Sequence, residues 1–545
     1  MIRSEKLEIK KEWVITALTF LYLIIVFVGA WLSDDSYITF RTIDNFIKGY
    51  GLTWNIGERV QAYTHPLWMF LLSGFYFITS EIYYTSTIIS ILISVCAVWL
   101  LLYKLSESII NSTLAALILI LSKAFIDFST SGLENPLTHL LIVLFFIVFF
   151  NSKMANKKLL TLSIIASLAV LNRMDTILIF LPPLAFIYYK EKNYLKGLIV
   201  IAKGFLPFIM WEFFSLFYYG FPFPNTAYAK LNTGIPQIEL FHQGLYYIIN
   251  SLYLDPLTIV VILAGLILPI IKKDKNLLVV SACIFLYLIY IVSIGGDFMG
   301  GRFFSAPLFC SVIIISKINF KSVKKVILLI SSVIILGLLS PKPTLFANQY
   351  YSTGPKIVKA FRFGPMVINM YHGIVDERIW YYEYTGLLKN ITERKIKQHP
   401  WVVEAENSKS GEVITRSTIG LYGYSAGSKV YIIDPMALAD PLLSKLPSTA
   451  YWLIHKYKFN RIKKWRIGHF ARKIPAGYLE TIKTGKDQLE DKDLRNYYDK
   501  LSLVIRGDLL SINRLKEVIN FNLGKYNYLL KTYNSGLKNQ VAVLN

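Results

Sequence analysis

Eleven apolar stretches crowd the first 340 residues of this chain, and that spacing limits the fold more than any other feature of the sequence. The stretches lie at about 13–32, 85–103, 108–124, 136–150, 159–172, 175–189, 197–219, 257–271, 277–294, 304–316 and 325–340. Apolar runs approaching 20 residues read as helices that cross a bilayer. Composition agrees: 17% of the 545 residues are charged and 54% are hydrophobic, whereas soluble domains carry about 25% charge. The sequence therefore predicts an α-helical polytopic membrane protein, with an embedded region over 1–340 and a soluble α+β region over 341–545. The first stretch, preceded by Arg3, Lys6, Lys10 and Lys11, has too long a core and no small-x-small site, so it is read as a retained anchor and not a cleaved leader. Cys96, Cys283 and Cys310 all sit in apolar runs and are read as packing residues.

Charge sets the expected orientation. With a cytoplasmic N-terminus, the short inner segments hold 18 Lys and Arg, against seven in the longer outer connections before 341. The positive-inside rule then keeps the N-terminus in the cytoplasm, and eleven crossings put the C-terminal region outside it. The stretch 66–79 is read as a helix at the outer membrane face; a competing reading counts it as a twelfth span. Residues 37–52 place Ile38, Ile43, Phe46 and Ile47 on one helical face and Arg41, Asp44 and Lys48 on another, which predicts an amphipathic helix on the membrane surface. The C-terminal region carries 32 Lys and Arg against 17 Asp and Glu. Lipid headgroups or an anionic glycan suit that charge outside the cytoplasm, where nucleic acid is out of reach. Helices are expected at 375–390, 490–504 and 511–522, and a strand at 430–434.

Ionisable residues at the outer ends of spans are the candidates for chemistry, because charge beside hydrocarbon is costly. Asp34 and Asp35 follow the first span and can serve as a general base or hold a divalent cation, with mutual repulsion raising one of their pKa values. Glu58 and Arg59, then Tyr63, Thr64 and His65, lead into the 66–79 stretch. Further outer connections supply Glu134; Arg173 with Asp175; Asn225 and Lys230; and a glycine-rich loop, 295–302, flanked by Asp297 and Arg302. Each motif alone reads equally as a turn or a structural ion pair. Their expected convergence on one side resembles an active-site mouth. No Walker, GxSxG, GxGxxG or HExxH pattern is present, so neither ATP-driven nor hydride-transfer chemistry is supported.

The run DDSYITFRTIDNFIKGYGLTWNIGERVQAYTHPLWMFLL (34–72) resembles the first outer loop of bacterial GT-C-fold glycosyltransferases of the mycobacterial arabinofuranosyltransferase B type. YGFPFPNTAYAK (219–230), GGDFMGGRFFSAP (295–307), GIVDER (373–378) and IGLYGYSAGSKVYIIDPMALADPLL (419–443) extend the likeness in the same order. The resemblance implies a GT-C fold of about eleven membrane helices with outer juxtamembrane helices, in the inner membrane, with a periplasmic C-terminal domain. It further implies transfer of a sugar from a polyprenyl-phosphate donor to a glycan or glycolipid acceptor. The essential carboxylate maps onto Asp34 or Asp35 and a second acidic position onto Glu134, with Arg302, Arg173 and Lys230 as candidates to meet the phosphate. Some proteins of this type are described as envelope or flagellar-motor accessory proteins, which leaves a non-catalytic scaffold as the alternative. A transporter or flippase has less support, since the sequence carries no internal repeat. The chain departs from the pattern at Arg173-Met174-Asp175-Thr176, where members carry Arg-Pro-Glu/Asp-Gly.

Overall fold

The computed structural model describes residues 10–152, 157–231, 233–320, 322–346, 370–448, 465–531 and 533. By packing, the chain divides into two compact units whose segments alternate along the sequence: 1–33, 83–206 and 238–395 form the first, and 34–82, 207–237 and 396–545 the second. This division by packing is distinct from the division by hydropathy at 340.

The first unit is a set of apolar helices. Among the described residues, Lys11–Gly29, Ile82–Leu105 and Lys275–Ser293 are long and apolar enough to cross a membrane, and counting each of two bent helix pairs as one span gives up to five. Of the bent pairs, Gln237–Leu254 with Pro256–Lys272 falls in this unit but for Gln237, whereas in Tyr194–Gly204 with Leu206–Tyr218 the second helix belongs to the second unit from Pro207 on. Ile109–Leu121, Asn135–Phe150, Lys158–Asn172 and Arg302–Ser316 are apolar but shorter; at about 1.5 Å per residue each falls short of the roughly 30 Å hydrocarbon layer. The eleven expected spans counted apolar residues, whereas several helices stop earlier at polar caps. Ser108 accepts from the N–H of Asn111 at 3.2 Å, and Asp255, followed by a proline at the first helical position, accepts from that of Thr258 at 3.2 Å. The helix Ser305–Ser316 is buried along its whole length, as a helix apolar on every side must be.

Two short connections close this unit's polar end. Strand β1 (Met370–Tyr371) pairs antiparallel with β2 (Ile374–Val375), and Val375 exchanges backbone hydrogen bonds with Phe298 (2.7 Å) and Gly300 (2.8 Å). Asp376 then meets Lys123 at 3.0 Å and Arg378 meets Asp127 at 2.8 Å. The GGD and GIVDER motifs are thus packed against each other.

The second unit begins with the helix Asp34–Ile47, which takes Asp34 and Asp35 into its first turn. It starts earlier than expected, and its polar face is closed at Arg41 and Asp44 but open at Lys48. Arg41 is 1% exposed, with its guanidinium donating to the carbonyls of Trp54, Gly423 and Val430 and lying 4.3 Å over the Trp54 ring. Protein covers this face at Arg41, whose burial is tolerated because carbonyls accept from its fork of donors. The helix Pro66–Thr79 has the expected limits. Parallel strands β3 (Val413–Thr415) and β4 (Tyr431–Ile433) and the helices Lys492–Arg506 and Ile512–Asn522 complete the unit. One core gathers Leu442, Leu443, Leu494, Leu501 and Val504; another joins Ile38 and Trp54 to Ile419, Tyr422 and Ile432.

Candidate functional site

The candidate residues fall into two sets, one in each unit. In the second unit Asp34 is 8% exposed, and its Oδ1 accepts the backbone N–H of Leu421 at 2.7 Å. A glycine at 420 makes this approach possible: a Cβ there would lie 2.0 Å from the Asp34 carbonyl oxygen and 2.6 Å from its Cγ. Burial pushes the Asp34 carboxyl up to about 7, opposed by the N–H donors of Leu421 and Gly420 and aided by the charge of Asp35. Repulsion between the aspartates was expected to raise one pKa; desolvation is the larger cause. Asp35 occupies the same first turn and is partly exposed.

The remaining candidates of this unit stand elsewhere in its packing. His65 Nε2 shares a hydrogen bond with Thr39 Oγ1 at 2.9 Å. Arg59 gives Nη2 to the carbonyls of Val504 (3.4 Å) and Gly507, while its Nε is buried without a partner. Asn225 is committed to packing, its amide donating to the carbonyls of Ala437, Leu438 and Asp440 at 3.0–3.1 Å and accepting from Ser444 Oγ at 2.8 Å. Lys230 is exposed. Arg472 is 3% exposed and donates to the carbonyls of Leu446 and Ala229.

In the first unit, five candidates from three separate loops meet. Glu134, 1% exposed, receives Arg173 Nη1 at 3.0 Å and Arg302 Nη2 at 3.0 and 3.2 Å. Arg173 also grips Asp175 with two parallel bonds of 2.7 and 2.9 Å and lies 4.2 Å over the Phe303 ring. Asp297 reaches Arg302 at 3.5 Å, and the Tyr287 hydroxyl donates to Asp175 at 3.1 Å. Gly296, at φ +72°, fits because a Cβ there would meet the Tyr247 ring at 2.5 Å. Three carboxylates face two guanidiniums, so both arginines already hold anionic partners.

Sequence reasoning missed Gly420 and Leu421, although both lie in the 419–443 segment that resembles the transferases. It also missed Lys445, two residues beyond that segment, whose Nζ lies 4.2 Å over Phe221 and 3.1 Å over Tyr228. Among the described residues no three His, Cys, Asp or Glu side chains are grouped to hold a metal ion.

A mainly helical chain with several long apolar helices is a membrane protein. It resembles the mycobacterial arabinofuranosyltransferase type. A terminal beta-(1->2)-arabinofuranosyltransferase of Mycobacterium tuberculosis (strain ATCC 25618 / H37Rv) is 25% identical over 549 residues, covering 82% of this chain and 81% of the relative. A protein of the same name from Corynebacterium glutamicum is 23% identical over 546 residues, with 83% and 77% covered. No protein-family model matches the chain.

Proposed function

We propose that the chain is a membrane glycosyltransferase that moves a sugar, an arabinofuranosyl group by analogy with its relatives, from a polyprenyl-phosphate donor to a cell-envelope glycan or glycolipid. Residues 1–340 are proposed to lie in the inner membrane with a cytoplasmic N-terminus, and 341–545 outside the cytoplasm. The observation that carries the reading is Asp34: a buried carboxyl near pKa 7, in the first turn of the helix that opens the segment resembling the transferases.

A general base works best when its pKa lies near the operating pH. In the proposed step the acceptor hydroxyl oxygen bonds to the anomeric carbon, and the carbon–oxygen bond to phosphate breaks. The electron pair leaves with polyprenyl phosphate, and the hydroxyl proton passes to Asp34. Asp35 is proposed to supply further negative charge beside the developing oxocarbenium centre. Glu134 is proposed as a second acidic position. Arg173 and Arg302 would have to exchange a carboxylate for phosphate before taking the role first assigned to them.

Membranes carrying Asp34→Asn should lose transfer by about 10²–10⁴-fold, while the protein level stays near that of the parent and the thermal midpoint does not fall. The parent's transfer rate should climb as pH rises to about 7 and level off above it, as Asp34 must be ionised to accept a proton. Asp35→Asn should cost less. Full transfer by Asp34→Asn would sink the catalytic reading. Unchanged glycan with a persisting envelope defect in a deletion strain would favour the scaffold.

A further inference from the structure

The second unit contains a cavity that the proposed reaction does not use. Its walls include Arg59, Phe221, Phe223, Tyr228 and Lys445, and none of its lining residues is a carboxylate. The enclosed part, about 20 Å³, takes one oxygen-sized group, and counting its open mouth the empty space reaches about 290 Å³. Lys445 ends the turn Leu443–Lys445. Its ammonium lies over two aromatic faces, and no carboxylate or carbonyl oxygen pairs with it among the described residues.

Arg59 brings the second charge. Its Nη2 is spent on backbone carbonyls, but its Nε is buried without an acceptor. Asp508 offsets part of the Arg59 charge, whereas the Lys445 ammonium meets only aromatic faces among the described residues, and a partly desolvated cation without a counter-ion is unfavourable. Burial alone pushes Lys445 down to about 7 and, as the largest cause, lowers Arg59 as well. The cavity wall is rigid on one side, where Asn225 is tied to three carbonyls and to Ser444.

We propose that this cavity binds a phosphate-type anion, with Lys445 and Arg59 supplying the charge and Phe221, Phe223 and Tyr228 the apolar mouth. A guanidinium and an ammonium together match the tetrahedral oxygens of phosphate. Free phosphate and a lipid headgroup share this chemistry, and the two arms of the test separate them. The site does not include Asp34, and its test involves no sugar transfer, so its failure would leave the transferase reading untouched.

The test uses the full chain in phosphatidylcholine nanodiscs. One arm adds inorganic phosphate against chloride at matched ionic strength; the other replaces a fifth of the lipid with phosphatidylglycerol. The parent's thermal midpoint should rise by about 2–4 °C in at least one arm. Lys445→Met should lose that rise, and Lys445→Arg should keep it. A rise with phosphate alone identifies a free anion, and one with phosphatidylglycerol alone a headgroup. No rise in either arm, or an equal rise in Lys445→Met, would overturn the proposal. A shift kept by Lys445→Met but lost in Arg59→Gln would overturn the role of Lys445 and with it the two-cation site.

Discussion

Glu134 and Asp34 are both buried carboxylates, and their surroundings are opposite. Glu134, in the first unit, is held by two arginines; Asp34, in the second, has backbone amides and a neighbouring aspartate but, among the described residues, no cation. An acid gripped by guanidiniums is built to stay in place, whereas one held by amides in a dry site can change its proton occupancy near neutral pH. The first arrangement suits a scaffold that gathers loops, and the second suits proton transfer.

The largest effect should come from taking an arginine out of the first unit. Arg302→Met leaves three carboxylates against one guanidinium, and losing one partner of a buried ion pair costs about 3–5 kcal/mol. The thermal midpoint of the purified protein should fall by several degrees or the folded fraction should be lost. Glu134→Gln should cost less, because it leaves two carboxylates for two guanidiniums. Equal midpoints for Arg302→Met and the parent would show that the network does not hold the loops, and the contrast with Asp34 would lose one side.

Gly420→Ala should have the next effect, in the second unit. A Cβ 2.0 Å from the Asp34 carbonyl oxygen forces backbone to move, at about 1–3 kcal/mol. Because the displaced group is the Leu421 segment that donates to Asp34, transfer activity should fall along with the thermal midpoint. A variant with both unchanged would mean that 420 and 421 do not set the environment of Asp34.

What the sequence made legible was local. Period and caps located the helices Pro66–Thr79, Lys492–Arg506 and Ile512–Asn522 and strand β4 within a few residues. The gathering of Glu134, Arg173, Asp175, Asp297 and Arg302 was also anticipated, since each stood at the same end of an apolar stretch. The caging of Arg41 was not: its acceptors at 423 and 430 lie nearly 400 residues away, and an amphipathic pattern says which face is polar without saying what covers it. Lys445 was missed for the same reason, because only the folded chain brings it to Phe221 and Tyr228.

The most direct test of the contrast is in the pH dependence of stability. A carboxyl raised from an ordinary value to about 7 keeps its proton in the folded chain after the unfolded chain has released it. Asp34 therefore contributes most below about pH 4, and its contribution drains away as pH rises toward 7, by about 1 kcal/mol per unit. Asp434, raised to about 6 by burial, and Asp440, raised to about 8, act in the same direction within the same unit. The parent's thermal midpoint should decline between pH 5 and pH 7, and Asp34→Asn, which carries no titrating group at this position, should decline less steeply. Its advantage over the parent should widen up to about pH 7 and then stay constant. Parallel curves would mean that Asp34 is ionised throughout that range, and the distinction between a fixed carboxylate in one unit and a proton-exchanging one in the other would fail.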